Sequence, residues 1–263
     1  MKTRPVKIGP LSIGAQGSFA LIAGPCSIEN EDQLLKTSQF LIENNISILR
    51  GGIYKLRTSP KSFQGLGPQA FKVVESIKTK TGLQFISEVT DPRQIGDLYP
   101  LVDAFQVGSR NMHNYELLKE LGKVDKPILL KRGLSGLIKE WLLAGEYISN
   151  EGNEDIILCE RGIRTFESST RNTFDINAIA FVKQNSHFPI IADPSHGTGI
   201  RSLVKPISLA AAAAGADGLI IEIHPEPDLA KSDSQQTLGF DEFEDLLSDL
   251  TPLLKIFKKT IGT

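Results

Sequence analysis

Two hydrophobic periodicities alternate along this chain. Short runs that are apolar at consecutive positions recur at Ala20-Leu21-Ile22-Ala23-Gly24, Ile46–Leu49, Gln84–Glu88, Ala104–Val107, Pro127–Lys131, Ile156–Cys159, Pro189–Ala192 and Gly218–Glu222. Between them, apolar residues fall at helical spacing. Glu31–Glu43 carries Leu34, Leu35, Phe40 and Leu41, and a stretch opening at Pro68 carries Phe71, Val73, Val74 and Ile77. Proline at a first helical position costs no hydrogen bond, which suits Pro68. A last helix is predicted over roughly Phe240 to Phe257. Strands that are apolar on both faces and separated by helices form a parallel sheet covered by helices. Eight such units in 263 residues predict an α/β protein of the closed (β/α)8, or TIM-barrel, class. A doubly wound open sheet is the competing arrangement.

Residues 1–18 precede the first unit. Val6-Lys7-Ile8 and Leu11-Ser12-Ile13 alternate apolar and polar around Gly9-Pro10, which predicts a small β-hairpin capping the N-terminal end of the barrel. The expected division is a hairpin segment over 1–18 and a catalytic barrel over 19–263, with no internal repeat, low-complexity tract or linker.

Composition narrows the function. A 40% hydrophobic chain of this length buries a substantial core. A net charge of −2 and a pI near 6.1 argue against nucleic acid as a general partner. Cys26 and Cys159, the only cysteines, make no disulfide framework. The N-terminus shows no apolar leader core and no run is long enough to span a bilayer, so a cytoplasmic location is expected.

In such a barrel the active site is assembled where strands end, and the unusual polar residues collect there. The second strand exits into Arg50-Gly51-Gly52-Ile53-Tyr54-Lys55-Leu56-Arg57-Thr58-Ser59. Cations, hydroxyls and glycines in one short segment suit phosphate: a planar fork, a point charge, short donors and close backbone approach. Arg110, Lys131 and Arg161 exit from the fourth, fifth and sixth strands. With Arg50 and Lys55 they are expected to line the side of the mouth away from most of the metal ligands and to hold a ligand bearing both phosphate and carboxylate, leaving Arg57 and Thr58 for a second phosphate. Cys26, His196 and Glu222 follow strands one, seven and eight, neighbours once the barrel closes, and Asp233 follows close behind. A sulfur, an imidazole and two carboxylates suit a divalent ion such as Mn, Fe, Co or Zn. Cys159 reads as packing, His113 and His187 as loop or helix-edge residues, and His224 carries no assignment. A metal beside two phosphorylated substrates suggests polarisation of a carbonyl.

Gly24-Pro25-Cys26-Ser27, Arg50-Gly51-Gly52 with Lys55-Leu56-Arg57-Thr58-Ser59, Gln106-Val107-Gly108-Ser109-Arg110-Asn111, Glu160-Arg161-Gly162-Ile163-Arg164-Thr165 and Asp193-Pro194-Ser195-His196 closely resemble the motifs of 3-deoxy-D-arabino-heptulosonate 7-phosphate synthases, in their shorter type I beta branch. The resemblance spans residues 20–255. It implies a transferase of the shikimate pathway that condenses phosphoenolpyruvate with erythrose 4-phosphate. It implies metal ligation by Cys26, His196, Glu222 and Asp233. Phosphoenolpyruvate contacts would come from Arg50, Lys55, Ser109, Arg110, Lys131 and Arg161, and sugar-phosphate contacts from Arg57 and Thr58. Lys55 is the candidate for proton transfer, with neighbouring Arg50 and Arg57 expected to favour its neutral form, and Glu88 is the candidate for placing water. Homo-oligomers, tetramers or dimers, are implied as well.

The family usually has proline where Leu56 stands; leucine leaves that loop freer. The sister family, 3-deoxy-D-manno-octulosonate 8-phosphate synthase, shares the chemistry but takes arabinose 5-phosphate. It typically shows Lys-Ala-Asn-Arg-Ser-Ser at the Lys55–Ser59 stretch and lacks Ile163-Arg164-Thr165-Phe166-Glu167. A barrel that binds a phosphometabolite without turning it over is the alternative of another class. With only a short segment before the first strand, no feedback inhibition by aromatic amino acids is expected of this chain alone, although a separate regulatory partner would be able to confer it.

Overall fold

A computed structural model describes residues 2–262 of the chain; the outermost residues of the two expected segments, 1 and 263, lie outside the described residues. The hairpin pairs β1 (Val6–Ile8) antiparallel with β2 (Leu11–Ile13) through the Gly9-Pro10 turn. Eight parallel strands follow: β3 (Ser18–Gly24), β4 (Ile48–Arg50), β5 (Gln84–Val89), β6 (Ala104–Val107), β7 (Ile128–Lys131), β8 (Ile156–Glu160), β9 (Ile190–Ala192) and β10 (Gly218–Glu222). Pairing of β10 with β3, Gly218 opposite Ala20 through Glu222 opposite Gly24, closes them into a barrel. The open-sheet alternative is thereby excluded.

The principal helices between the strands are α1 (Glu31–Glu43), α2 (Phe71–Thr81), the single-turn α3 (Ile95–Leu98), α4 (Tyr115–Gly122), α5 (Ile138–Ser149) and α6 (Ile176–Asn185). After β9 the chain makes a short α7 (Pro194–Thr198) and then α8 (Arg201–Ala213), and α9 (Phe240–Ile256) follows β10. Two details depart from expectation. The second strand begins at Ile48, because the Ile46 amide donates to the Leu41 carbonyl and Asn45, at φ 56°, ends α1. A short β11 (Thr260–Ile261) also adds beside Ser18 and Phe19 at the start of β3.

Strand side chains alternate between two hydrophobic layers. Leu21, Leu49, Phe85, Phe105, Leu130 and Leu158 face the helices. Ala20, Ile22, Ile48, Ile86, Ala104, Leu129, Ile157, Cys159, Ile191 and Ile220 fill the interior, together with Val6, Ile8, Leu11 and Ile13 of the hairpin. The hairpin therefore plugs the N-terminal end of the barrel, with Lys7 turned to solvent. Burial pushes the Cys159 thiol far above its usual range, and the residue acts as packing.

The same period of two sets the chemistry. Continuing each inward row by two residues toward the C-terminal end reaches Gly24, Arg50, Glu88, Gln106, Lys131, Arg161, Asp193 and Glu222. The apolar interior ends where this polar layer begins. Gly24 sits at φ 151°, where a Cβ would lie 2.0 Å from the Arg50 carbonyl oxygen, so only glycine lets β3 pass β4 into the Cys26 loop.

Candidate active site

The polar layer opens into a cavity of about 350 Å³ at the C-terminal end of the barrel, walled among others by Arg50, Lys55, Glu88, Lys131, Arg161 and His196. Ligand atoms of Cys26, His196, Glu222 and Asp233 all lie within 4.8 Å of one another, close enough to share one ion. The loops bring them there by separate devices. Asp193 caps α7 by accepting the His196 amide at 3.0 Å, and its Oδ2 meets His196 Nδ1 at 2.8 Å. That fixes the ring so that Nε2 faces Glu222 Oε1 at 3.3 Å and Asp233 Oδ2 at 3.7 Å. Asp233 holds a left-handed backbone, φ 54°, a conformation aspartate tolerates better than most side chains. The Cys26 thiol donates to Asp233 Oδ2 at 3.2 Å. The donor set and spacing thus fit a divalent ion.

The electrostatics are those of a compact charge cluster. Burial disfavours ionised Asp193, but His196 and Lys131 outweigh it and hold the carboxyl well below its usual range. Glu222 is likewise penalised by burial yet brought down to about 2 by His196 and Arg50. Burial alone would lower His196; Asp193 and Glu222 instead raise it to about 10.

Lys55 corrects the sequence reading. Arg50 and Arg57 flank it along the chain, yet its ammonium points at Asp233 Oδ2, 2.8 Å away, and at Cys26 Sγ. Burial disfavours its charge, but Cys26, Asp233 and Glu222 more than offset that and raise its pKa, so it is held protonated rather than neutral. Arg50 also reaches into the quartet, Nη1 to Glu222 Oε1 at 2.7 Å. These two cations therefore interleave with the quartet instead of occupying the opposite side of the mouth.

The remaining cations expected from the sequence divide by burial, and Arg164 and Arg171 line the cavity as well. Lys131 and Arg161 are buried, while half-buried Ser109 and exposed Arg110 line the same cavity. Arg57, Thr58 and Ser59 line the outer wall with Leu56. Arg110 Nη2 donates to Thr58 Oγ1 at 3.2 Å. Among the described residues, Arg57 Nη1 is buried without a hydrogen-bond partner, as is Arg50 Nε. Buried guanidinium donors left unpaired are costly, and these two are free to donate to an anion. Glu88 faces the same cavity, its Oε2 accepting from Gln106 Nε2 at 3.3 Å, and its carboxylate takes this position over Gly108, where a Cβ would displace it.

A family model described as the DAHP synthetase I family matches residues 4–257. The chain belongs to this family. It is similar to the phospho-2-dehydro-3-deoxyheptonate aldolase of Thermotoga maritima, 47% identical over 248 residues that cover 94% of this chain and 73% of the relative. The crystal structure of that organism's phospho-2-dehydro-3-deoxyheptonate aldolase (DAHP synthase) superposes with a TM-score of 0.95 at 45% identity, over 99% of this chain and 76% of the other. A truncated form of the Thermotoga enzyme gives 0.92 at 42% identity, over 99% and 95%. Similarity to a 2-dehydro-3-deoxyphosphooctonate aldolase of Geobacter sulfurreducens is lower, 30% identity over 97% of this chain and 100% of that protein.

Within this DAHP synthetase family site, several residues lay outside sequence reasoning. Asp193 was visible within the Asp193-Pro194-Ser195-His196 motif, but its hold on both His196 and Lys131 was not. Arg171 and Asn172 come from the long loop after β8; Asn172 Nδ2 donates to the His196 carbonyl at 2.8 Å and Arg171 Nη1 reaches Asp233 Oδ1 at 3.4 Å. No local motif marks them. His224 stands outside the cavity, its Nδ1 accepting from the Glu226 amide at 2.9 Å. His113 sits half-exposed near Glu140.

Proposed function

We propose that this chain condenses phosphoenolpyruvate with erythrose 4-phosphate to give 3-deoxy-D-arabino-heptulosonate 7-phosphate and inorganic phosphate. The observation that carries this reading is one cavity that brings together a metal-competent S/N/O quartet, the buried cations Arg50, Lys131 and Arg161, and Arg57 and Thr58 on its wall. The higher similarity to the heptonate enzyme than to octonate enzymes supports the four-carbon sugar.

Arg50, Lys55, Ser109, Arg110, Lys131 and Arg161 hold the phosphate and carboxylate of phosphoenolpyruvate and fix its C3 toward the quartet. Arg57 and Thr58 hold the sugar phosphate, so that the aldehyde lies between the two groups. A divalent ion of manganese, iron, cobalt or zinc on Cys26, His196, Glu222 and Asp233 supplies Lewis-acid polarisation of the aldehyde oxygen. The C2–C3 electron pair of phosphoenolpyruvate forms the new bond to the aldehyde carbon. Lys55, held protonated beside Cys26 and Asp233, gives its proton to the oxygen that gains charge there. Water adds at C2 and loses a proton toward Glu88. The resulting hemiketal phosphate then collapses: its C2–O bond to phosphate breaks, the C2 hydroxyl becomes the ketone, and phosphate leaves.

No helix among the described residues is long and apolar enough to cross a membrane, and both cysteines are free, which supports a cytoplasmic place for the reaction. The test is phosphate release from phosphoenolpyruvate by chelator-stripped protein, with Mn²⁺ restored and erythrose 4-phosphate or arabinose 5-phosphate offered in parallel. Turnover that requires both metal and the four-carbon sugar is expected. Preference for the five-carbon sugar would move the chain to the sister activity, and no turnover with either would leave a binding barrel.

A further inference from the structure

Gln236 is fully buried, three residues beyond Asp233, and belongs to none of the groups that hold substrate. Its Nε2 donates to Glu222 Oε2 at 2.7 Å, and its Oε1 accepts from Arg171 Nη1 at 2.9 Å. Because a guanidinium only donates and an ionised carboxylate only accepts, these two partners allow one orientation of the amide. The other oxygen of the same carboxylate, Glu222 Oε1, faces the quartet, with Arg50 Nη1 at 2.7 Å and His196 Nε2 at 3.3 Å. A backbone bond from the Glu222 amide to Ser195 Oγ, 3.1 Å, fixes the main chain at that point.

We propose that Gln236 is a positioning residue that reserves one oxygen of Glu222, so that the carboxylate binds the ion through Oε1 alone. This rests on the metal reading of the quartet. A carboxylate free to swing offers either one or both oxygens, and the difference changes coordination number and geometry. Holding Oε2 in a charge-assisted hydrogen bond removes the second choice before the ion arrives. Arg171, anchored where position 199 has no Cβ to meet its stem, keeps the amide from reversing. Outer partners of this kind typically change metal affinity about 10–100-fold when lost.

Gln236→Leu removes the donor without altering charge, and Gln236→Asn keeps an amide that is one methylene too short to reach Glu222. Both are compared with wild type and Cys26→Ser as folded proteins, with folding checked by circular dichroism. Co²⁺ affinity is measured by competition with a chromophoric chelator, and the visible Co²⁺ bands report coordination number. The expected result is affinity about 10–100-fold weaker in both Gln236 variants, with weaker visible bands as Glu222 turns bidentate. Affinity and spectrum within twofold of wild type in either folded variant, while Cys26→Ser binds poorly, overturn the role of Gln236 alone. Equal Co²⁺ binding by wild type and Cys26→Ser overturns the metal reading, and this inference with it.

Discussion

Replacing Arg57 by alanine tests the division of the cavity into two anion sites. The Arg57 side chain lies on the cavity wall, and its Nη1 is buried with no hydrogen-bond partner among the described residues. A hydrogen bond from a charged donor to phosphate is worth about 1.5–3 kcal/mol, equivalent to roughly 10- to 150-fold in binding. Arg110 lies beside Thr58 and keeps part of the positive potential there, which places the expected effect toward the lower half of that range. In steady-state assays that follow loss of the phosphoenolpyruvate enol, Arg57→Ala should raise KM for erythrose 4-phosphate about 10- to 50-fold. KM for phosphoenolpyruvate should move less than threefold, since the deep cations are untouched. Thr58→Ala should shift the same parameter by a smaller factor, because a hydroxyl contributes a single neutral hydrogen bond of about 1 kcal/mol. A rise confined to phosphoenolpyruvate, or equal for both substrates, would refute the assignment of Arg57 to the sugar phosphate.

Three further changes probe the groups around the quartet. Asp193→Asn keeps the shape but leaves buried Lys131 without its counter-ion and His196 without its anchor; urea unfolding should show a loss of about 3–5 kcal/mol, with metal affinity weakened about 10–100-fold in chelator titration, and unchanged stability would contradict it. Gly108→Ala puts a Cβ 2.1 Å from Glu88 Oε1 and forces that carboxylate aside; kcat should fall by a factor on the order of 100, whereas Gly96→Ala, with nothing within 4 Å of its new methyl, serves as the control that should not. Acid should destabilise the metal-free protein. Asp193 and Glu222 have folded pKa values depressed below their ordinary ones, Glu222 to about 2 from 4.5, so their contribution is present above the unfolded values and is lost as pH falls from about 4.5 toward 2. For Glu222 alone this amounts to about 3 kcal/mol, and a flat Tm between pH 5 and 3 in metal-free protein would show that the cluster does not hold these charges.

What the sequence disclosed and what it hid follow from the range over which each signal acts. The barrel was legible because its cause is local: strands apolar on both faces are written as continuous runs, and closure leaves them no polar face to expose. The polar layer was legible for the same reason, since the inward rows through Ile48, Ile86, Leu129 and Ile220 end two residues later at Arg50, Glu88, Lys131 and Glu222. Cys26, His196 and Glu222 of the quartet could be gathered from the rule that strands one, seven and eight meet, with Asp233 following the last strand.

Protonation was not legible, because it depends on neighbours in space. Lys55 lies between two arginines in sequence, which argued for a neutral amine; the turn after β4 instead carries its ammonium to Cys26 and Asp233, and the sign of the effect reverses. Gln236 and Arg171 show the same limit more sharply. Neither residue type implies metal chemistry, and 65 positions separate them; only the fold places one against Glu222 and the other against Asp233. Residues that contact a ligand are chosen for their own chemistry and so announce themselves by type, whereas residues that orient those ligands need only a donor at the right point. Any side chain with such a donor serves, so the orienting shell must be read from geometry.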